Sequence, residues 1–466
     1  MMIKGKPGLW GGIAAMLLIA YVMPAVPGLP PAAKMTLAVA AFAICVWVTQ
    51  ALEDALSGLI IVFLLAVLKA TSLEGALSGY ANNSLWLIVI GFIMAGAMEK
   101  SGLSKRIALY LVNLAGGNAN KIYWAIALVM LVMTFLVPSI TARTLLMLPI
   151  VLGIGQAFNA KEGQSNIVKA LLFIIAMSGT AMSIGVLTAH VGNPISVGLI
   201  TAATGKTVSW AEWFRIGAPP AFTLALLMVL LIRFLWPPEM AELGQGGEYV
   251  KTELDKLGSI TKVEIYTLLI FSLTLALWAT DSMHKIPVAV VGLFSVIMLL
   301  WPGIGVMTWK EAQTKVPWSI FVLYGAGLSM GGALATSGAA KWLAGTMLKP
   351  IAAMDHSVQI VLLIWIVTAL QVFFTGGGPK TTALTPIVIA HATAIGANPM
   401  VFALVLGMNM QHQYLLPVSN MPNAVINGTN QVKASELMKT GAWCSLLAAT
   451  FFSVVVFTYW KWIGVL

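Results

Sequence analysis

The chain has 466 residues, 59% of them hydrophobic and 9% charged, with a mean hydropathy of +0.92 and a formal net charge of +10. Soluble globular domains carry about 25% charged residues, so this composition excludes that class and points to an all-α polytopic membrane protein. Loop lysines and arginines account for the net charge, and nucleic acid is not needed as a partner to explain it.

Apolar runs of about 17 to 25 residues are long enough to cross a bilayer, and their spacing predicts about 11 transmembrane helices plus two re-entrant hairpins. Residues 1–33 hold the first span, near 9–27, outside the rest of the pattern. Lys4 and Lys6 precede it and no small-residue cleavage site follows, so it reads as a retained span with a cytoplasmic N-terminus in the cell inner membrane. Spans near 34–52, 55–70 and 82–99 come next, then an apolar region at 121–158 that is interrupted at its centre, read as a hairpin. A broken helix at 168–202 and a span near 217–236 lead into a polar cytoplasmic linker, 237–262. The second half repeats the order: spans near 263–280, 286–302 and 316–334, a hairpin at 358–396, a broken helix at 399–427 and a last span near 440–462. This topology places about twice as many Lys and Arg inside as outside, as the positive-inside rule requires, and leaves Arg143 and Lys380 within the membrane. Cys45 and Cys444 fall inside spans and read as packing residues.

The two halves are self-similar. Gly91 to Ala108 (GFIMAGAMEKSGLSKRIA) aligns without gaps on Gly327 to Ala344 (GLSMGGALATSGAAKWLA), an offset of 236. Thr141 to Ile150 (TARTLLMLPI) lies over Gly378 to Ile387 (GPKTTALTPI) at an offset of 237, which puts Lys380 under Arg143. HVGNPISVG, from His190, and VSNMPNAVI, from Val418, follow as polar Gly/Asn/Pro breaks with Pro194 over Pro422. An odd number of crossings in 34–236 inverts the copy in 263–466. Paired broken segments at matching places in inverted halves are the sequence signature of a transporter's binding site near the midplane.

An arginine at the bilayer midplane costs roughly 2.5 to 3.5 kcal/mol on insertion scales. The carboxylates fall in loops or near span ends, so none is expected beside Arg143 or Lys380. Two intramembrane cations without carboxylates imply an anion that arrives and leaves; capping of helix carbonyls or snorkelling is the other reading. Each cation follows a break where a helix restarts, and a restarting helix offers free N–H groups and a positive dipole end. The first restart adds Ser139, Ile140, Thr141 and Thr144; the second adds Thr375, Gly376, Gly377, Gly378, Thr381 and Thr382. Their hydroxyls can face the anion or bond back to the preceding turn. Asn193, Pro194, Ser419, Asn420, Pro422 and Asn423 are read as lying in the unwound breaks, where the polar groups reach the ligand or satisfy freed backbone. His190 adjoins a break, while His391 and His412 read as packing residues; the histidine spacing predicts no metal site and no cofactor.

These residues resemble the divalent anion/sodium symporter family of di- and tricarboxylate carriers. The resemblance rests on PSITAR, SNMPNAVI, the ELMKTG stretch before the last span and the alternating order of hairpins and broken helices, from about Thr36 onward. It implies an elevator mechanism, a homodimer, a scaffold domain and a transport domain carrying both hairpins. Sodium-coupled members carry Ser-Asn-Thr at the hairpin tips, whereas this chain has Ser139-Ile140-Thr141 and Gly376-Gly377-Gly378. That departure brings it closer in character to the family's bacterial citrate/succinate and tartrate/succinate exchangers. The expectation is a sodium-independent exchanger of small organic anions in a lipid bilayer, not an enzyme. A sodium-coupled dicarboxylate or sulfate symporter is the alternative, and an anion channel or an intramembrane enzyme are remoter rivals.

Overall fold

The computed structural model describes residues 7–373 and 377–466. Every regular element among them is helical, and nine helices are long and apolar enough to cross a membrane. The protein is a multi-pass membrane bundle, in which helices satisfy their own backbone where no water can.

The chain opens with α1 (Pro7–Leu17), α2 (Pro31–Thr49) and α3 (Asp54–Val67). Then come α4 (Asn83–Ser101), α5 (Leu103–Asn113), the pair α6 (Ala119–Leu136) and α7 (Ile140–Ala157), α8 (Asn166–Ile184), α9 (Gly192–Thr204) and α10 (Trp210–Leu235). A linker with α11 (Gln245–Asp255) leads to α12 (Lys262–Ala279), α13 (Val288–Leu299) and the short α14 (Trp309–Lys315). The remaining helices are α15 (Trp318–Thr336), α16 (Ala339–Met347), the pair α17 (His356–Ala369) and α18 (Gly377–Ala394), α19 (Pro399–Asn409), α20 (Met421–Asn427) and α21 (Ala434–Val455).

Matching positions share local devices. Gly102 and Gly338, 236 residues apart, both take the left-handed conformation (φ +81° and +86°) where α4 and α15 end, a region that side chains other than glycine's enter only at a cost. Asn118 caps α6 and Asp355 caps α17. Pro149 and Pro386 sit inside α7 and α18. Packing corresponds too, with α4 against α13 and α15 against α3. From Ile167 to Ile184 every residue of α8 is buried, which makes it the centre of the bundle.

Charge concentrates at the end of the bundle that holds the linker. All the ion pairs found among the described residues lie there, including Arg106–Glu264 (2.7 Å), Lys169–Glu436 (2.6 Å) and Lys100–Glu311 (2.6 Å). The Lys100 ammonium, with the Thr308 N–H and hydroxyl, holds the Glu311 carboxyl down to about 2. The linker grips the first hairpin at its base: Ala119 N donates to Ala241 O, Leu243 N to Gly117 O, and the Tyr249 ring fills the space beside Gly153. Both arms, α6 and α7, therefore root at this one end and turn at Val137–Ser139.

Candidate functional site

The first half of the site is built from the turn between α6 and α7 and the gap between α8 and α9. Ser139 caps α7, its hydroxyl accepting from Ala142 N (3.3 Å), so the helix restarts at Ile140 as the sequence predicts. Arg143 follows one turn later and is fully buried. Its Nη1 donates to Thr134 Oγ1 on α6; its Nη2 donates to Ser183 Oγ (2.6 Å) near the end of α8 and to Ala189 O (3.0 Å) within the α8–α9 gap. Among the described residues only Nε is left without a partner. The guanidinium thus ties a hairpin arm to an unwound backbone. Thr144 bonds back to Ile140 O (2.9 Å), while Thr141 is half-buried in the same turn.

The breaks are not where their Asn/Pro motifs suggest. The first runs from Gly185 to Val191, and Asn193 and Pro194 already belong to the first turn of α9. The second begins at Met410, well before Val418, and Pro422 and Asn423 lie in the first turn of α20. Proline lacks an N–H that a first turn would leave unpaired in any case, so Asn-Pro and Met-Pro-Asn mark restarts. Both asparagines still serve the breaks. Asn193 Nδ2 donates to Ser183 O and Val186 O (2.9 Å each), and Asn423 Nδ2 to Leu416 O (3.0 Å) and Tyr414 O (3.2 Å). Their Oδ1 atoms, buried, have no partner among the described residues. Asn420 caps α20 through Asn423 N (2.8 Å), and the Ser419 hydroxyl accepts from Leu416 N (3.0 Å).

In the second half, Thr375 and Gly376 lie outside the described residues, and α18 begins at Gly377, followed by Gly378. Lys380 is fully buried in the first turn of α18, and its Nζ has no hydrogen-bond partner among the described residues. Thr381 and Thr382 beside it are buried. Two carboxylates prove to be buried after all, Glu264 and Asp281, but Glu264 is held by Arg106 and Asp281 accepts from Trp210 N (2.7 Å). Neither hydrogen-bonds to Arg143 or Lys380.

The halves interleave. Helix α20 packs on α7, and α9 packs on α18 and α19. Gln411 of the second break lies against Gly192 at the start of α9, where a Cβ would come within 2.0 Å of its Nε2. Two cavities of about 760 Å³ approach from opposite ends: one reaches Pro194 and is lined by Arg215 and Lys285, the other reaches Asn420 and Met421 beside Glu53 and Asp54. His190 lines a small pocket with Pro138 and Pro194, and its Nδ1 accepts from Gly192 N (3.0 Å). His391 bonds Gln359 Oε1 (2.7 Å) and His412 bonds the Tyr414 hydroxyl (2.9 Å), both within the packing. Thr134, Ser183, Gln371 and Gln411 join the site without having been singled out by sequence. Their signal was a polar side chain inside an apolar run.

A multi-pass bundle with two broken helices, a hairpin rooted at one end and intramembrane cations free of carboxylates is the architecture of a membrane carrier. The family model described as the sodium:sulfate symporter transmembrane region matches residues 9–466, and the chain belongs to this family of transporters. It is 28% identical to a protein of Cupriavidus necator described as a membrane protein, covering 98% of this chain and 93% of that one. It is also 28% identical to the sodium-dependent dicarboxylate transporter SdcS of Staphylococcus saprophyticus, covering 88% and 83%. The crystal structure of the Alcanivorax borkumensis YdaH transporter shares the fold, with a TM-score of 0.57 at 16% identity over 84% of this chain and 88% of that one. The sequence resemblance to divalent anion/sodium symporters is thereby borne out, and with it a transport function in place of an enzymatic one.

Proposed function

We propose that the protein is a sodium-independent exchanger of small organic dianions or trianions, of the C4-dicarboxylate or citrate class, that works as an elevator. The observation that carries this reading is the pair Arg143 and Lys380: two fully buried cations at equivalent places, neither with a carboxylate partner among the described residues. Charge of this kind is tolerated when an anion neutralises it. Because both cations are covalently fixed, they stand where a symporter would need dissociable ones. The order of helices in 34–236 and 263–466 supports an inverted repeat, with the hairpins and broken helices moving against a scaffold. A homodimer in the cell inner membrane with a cytoplasmic N-terminus completes the proposal. Ser139, Ile140, Thr141, Asn193, Pro194, Thr375, Gly376, Gly377, Gly378, Thr381, Asn420, Pro422 and Asn423 are assigned to the anion's surroundings.

Sodium-coupled symport of a dicarboxylate or sulfate is the second reading, favoured by the name of the SdcS relatives and by the unpartnered amide oxygens of Asn193 and Asn423. Uptake of labelled succinate into proteoliposomes, preloaded with succinate or empty, in sodium or choline buffer separates the two. Exchange predicts fast uptake only into preloaded vesicles, equal in both buffers. Uptake into empty vesicles that depends on sodium would establish the symporter.

A further inference from the structure

The two halves of the site solve one problem with different atoms. In the first, Arg143 spans from Thr134 on the hairpin arm to Ser183 and Ala189 at the break. Moving 237 residues along the chain carries Thr134 to Gln371 and Arg143 to Lys380. Gln371 ends the first arm of the second hairpin and is buried. Its Oε1 accepts from Tyr414 N (3.0 Å) and Leu415 N (3.2 Å) in the second break, and its Nε2 donates to Thr368 O (2.8 Å) and to Ser445 Oγ on α21 (3.1 Å). Here the amide, not the cation, joins arm to break. The polarity is reversed as well: the break offers N–H groups to an oxygen, where the first break offers oxygens to a guanidinium. Lys380 is consequently released from bracing. A buried ammonium without an acceptor is costly, and a carboxylate is the acceptor that removes the cost.

We propose that Gln371 is the positioning residue of the second half-site, tying the hairpin arm to the backbone at Tyr414–Leu415 and leaving Lys380 as the charge that meets a carboxylate of the cargo. Arg143 then acts chiefly as the brace of the first half. This assignment rests on the reading of the protein as an anion exchanger and adds to it which cation contacts the anion.

The test is a double-mutant cycle on the full chain in proteoliposomes, with succinate as probe and KM and maximal exchange rate read separately. Lys380→Gln and Gln371→Met are each expected to raise KM at least about tenfold; the maximal rate should stay within about threefold of the wild type in Gln371→Met, which leaves the charge in place, and fall in Lys380→Gln, whose loaded form carries an uncompensated charge. The pair together should be no worse than Lys380→Gln alone to within about twofold, because Gln371 acts through Lys380. Ser445→Ala, a small change that removes the hydroxyl accepting from Gln371 Nε2 (3.1 Å) and donating to its Oε1 (3.3 Å), should raise KM by about two- to fivefold and lose that effect in the Lys380→Gln background. It keeps the test available if Gln371→Met does not insert. Multiplicative effects, or an unchanged KM in either Gln371→Met or Ser445→Ala, would overturn the proposal. Absence of succinate exchange by the wild type would instead count against the exchanger reading itself.

Discussion

Arg143 and Lys380 are cations at matching positions with opposite surroundings, and stability should register the difference before any cargo is present. Arg143→Met removes the donor that the Ala189 carbonyl and the Thr134 and Ser183 hydroxyls now accept from, the hydroxyls keeping only the bonds they donate to Met130 O and Gly179 O. Leaving buried polar groups unmade costs about 1–3 kcal/mol. Lys380→Met strands nothing among the described residues, since Nζ has no partner there, and removing an unpaired buried charge should stabilise by about 1 kcal/mol or more. Thermal unfolding of purified protein without added anion should therefore show a lowered midpoint for Arg143→Met and a raised one for Lys380→Met. Equal downward shifts would show that Lys380 is also a structural brace. At this scale the pairing of the two cations was legible, because a constant sequence offset fixed it. Thr134 and Gln371 were not, since a lone hydroxyl or amide in an apolar run reads the same whether it bonds its own turn or another helix. Only the packing of α6 and α17 against the breaks distinguishes them.

Most helices and their order could be read from hydropathy to within a few residues, although α10 and α21 start at Trp210 and Ala434, well before the expected 217 and 440; the ends of the breaks could not. Asn-Pro stretches mark both unwound backbone and helix starts, and tertiary hydrogen bonds from Asn193 and Asn423 decide the matter here. The aligned glycines prove to have a spatial meaning that alignment alone did not supply. Gly91 of α4 faces Pro138 at the first hairpin's turn, with a Cβ position 3.1 Å from the Pro138 Cβ, and its counterpart Gly327 of α15 faces Thr382 of α18 at 2.7 Å. One turn on, Gly331 meets Leu199 of α9 at 2.6 Å and Pro386 at 3.5 Å. If hairpins and broken helices slide along α4 and α15, these are the faces they slide over. A β-branched side chain there adds volume to a close-packed contact, which typically costs 1–3 kcal/mol. Gly331→Val is expected to slow succinate exchange at saturation by about tenfold or more. The succinate-induced thermal shift should stay near the wild-type value, because a side chain at Gly331 would press first on Leu199 and Pro386, neither of which is assigned to the anion. Wild-type exchange rates in Gly331→Val would show that this face does not move past its neighbours.

For the whole molecule, the fixed charges set what can cross and at what electrical cost. If the hairpins carry the cations across as proposed, Arg143 keeps its protein oxygens, but Lys380 crosses unpaired unless an anion accompanies it. An unpaired ion in a low-dielectric setting costs several kcal/mol, and each 1.4 kcal/mol of barrier slows a step about tenfold. Return of the empty carrier should therefore be at least about a hundredfold slower than return of the loaded one. On the exchanger proposal a bound dianion cancels the two fixed cations, so the loaded body would carry no net charge through the membrane. Swapping one dianion for another is then electroneutral and should not respond to voltage. Swapping a trianion for a dianion moves one net charge, and 100 mV acts on one charge with about 2.3 kcal/mol. Proteoliposomes clamped with a potassium gradient and valinomycin test both cases. Succinate–succinate exchange should run at the same rate at 0 and −100 mV, interior negative. For external citrate, fully ionised at alkaline pH, against internal succinate, the final distribution should shift outward by about 50-fold at −100 mV. Voltage-driven accumulation in the succinate–succinate experiment would mean that a further ion travels with the cargo, and the two fixed cations would not be the charges that balance it.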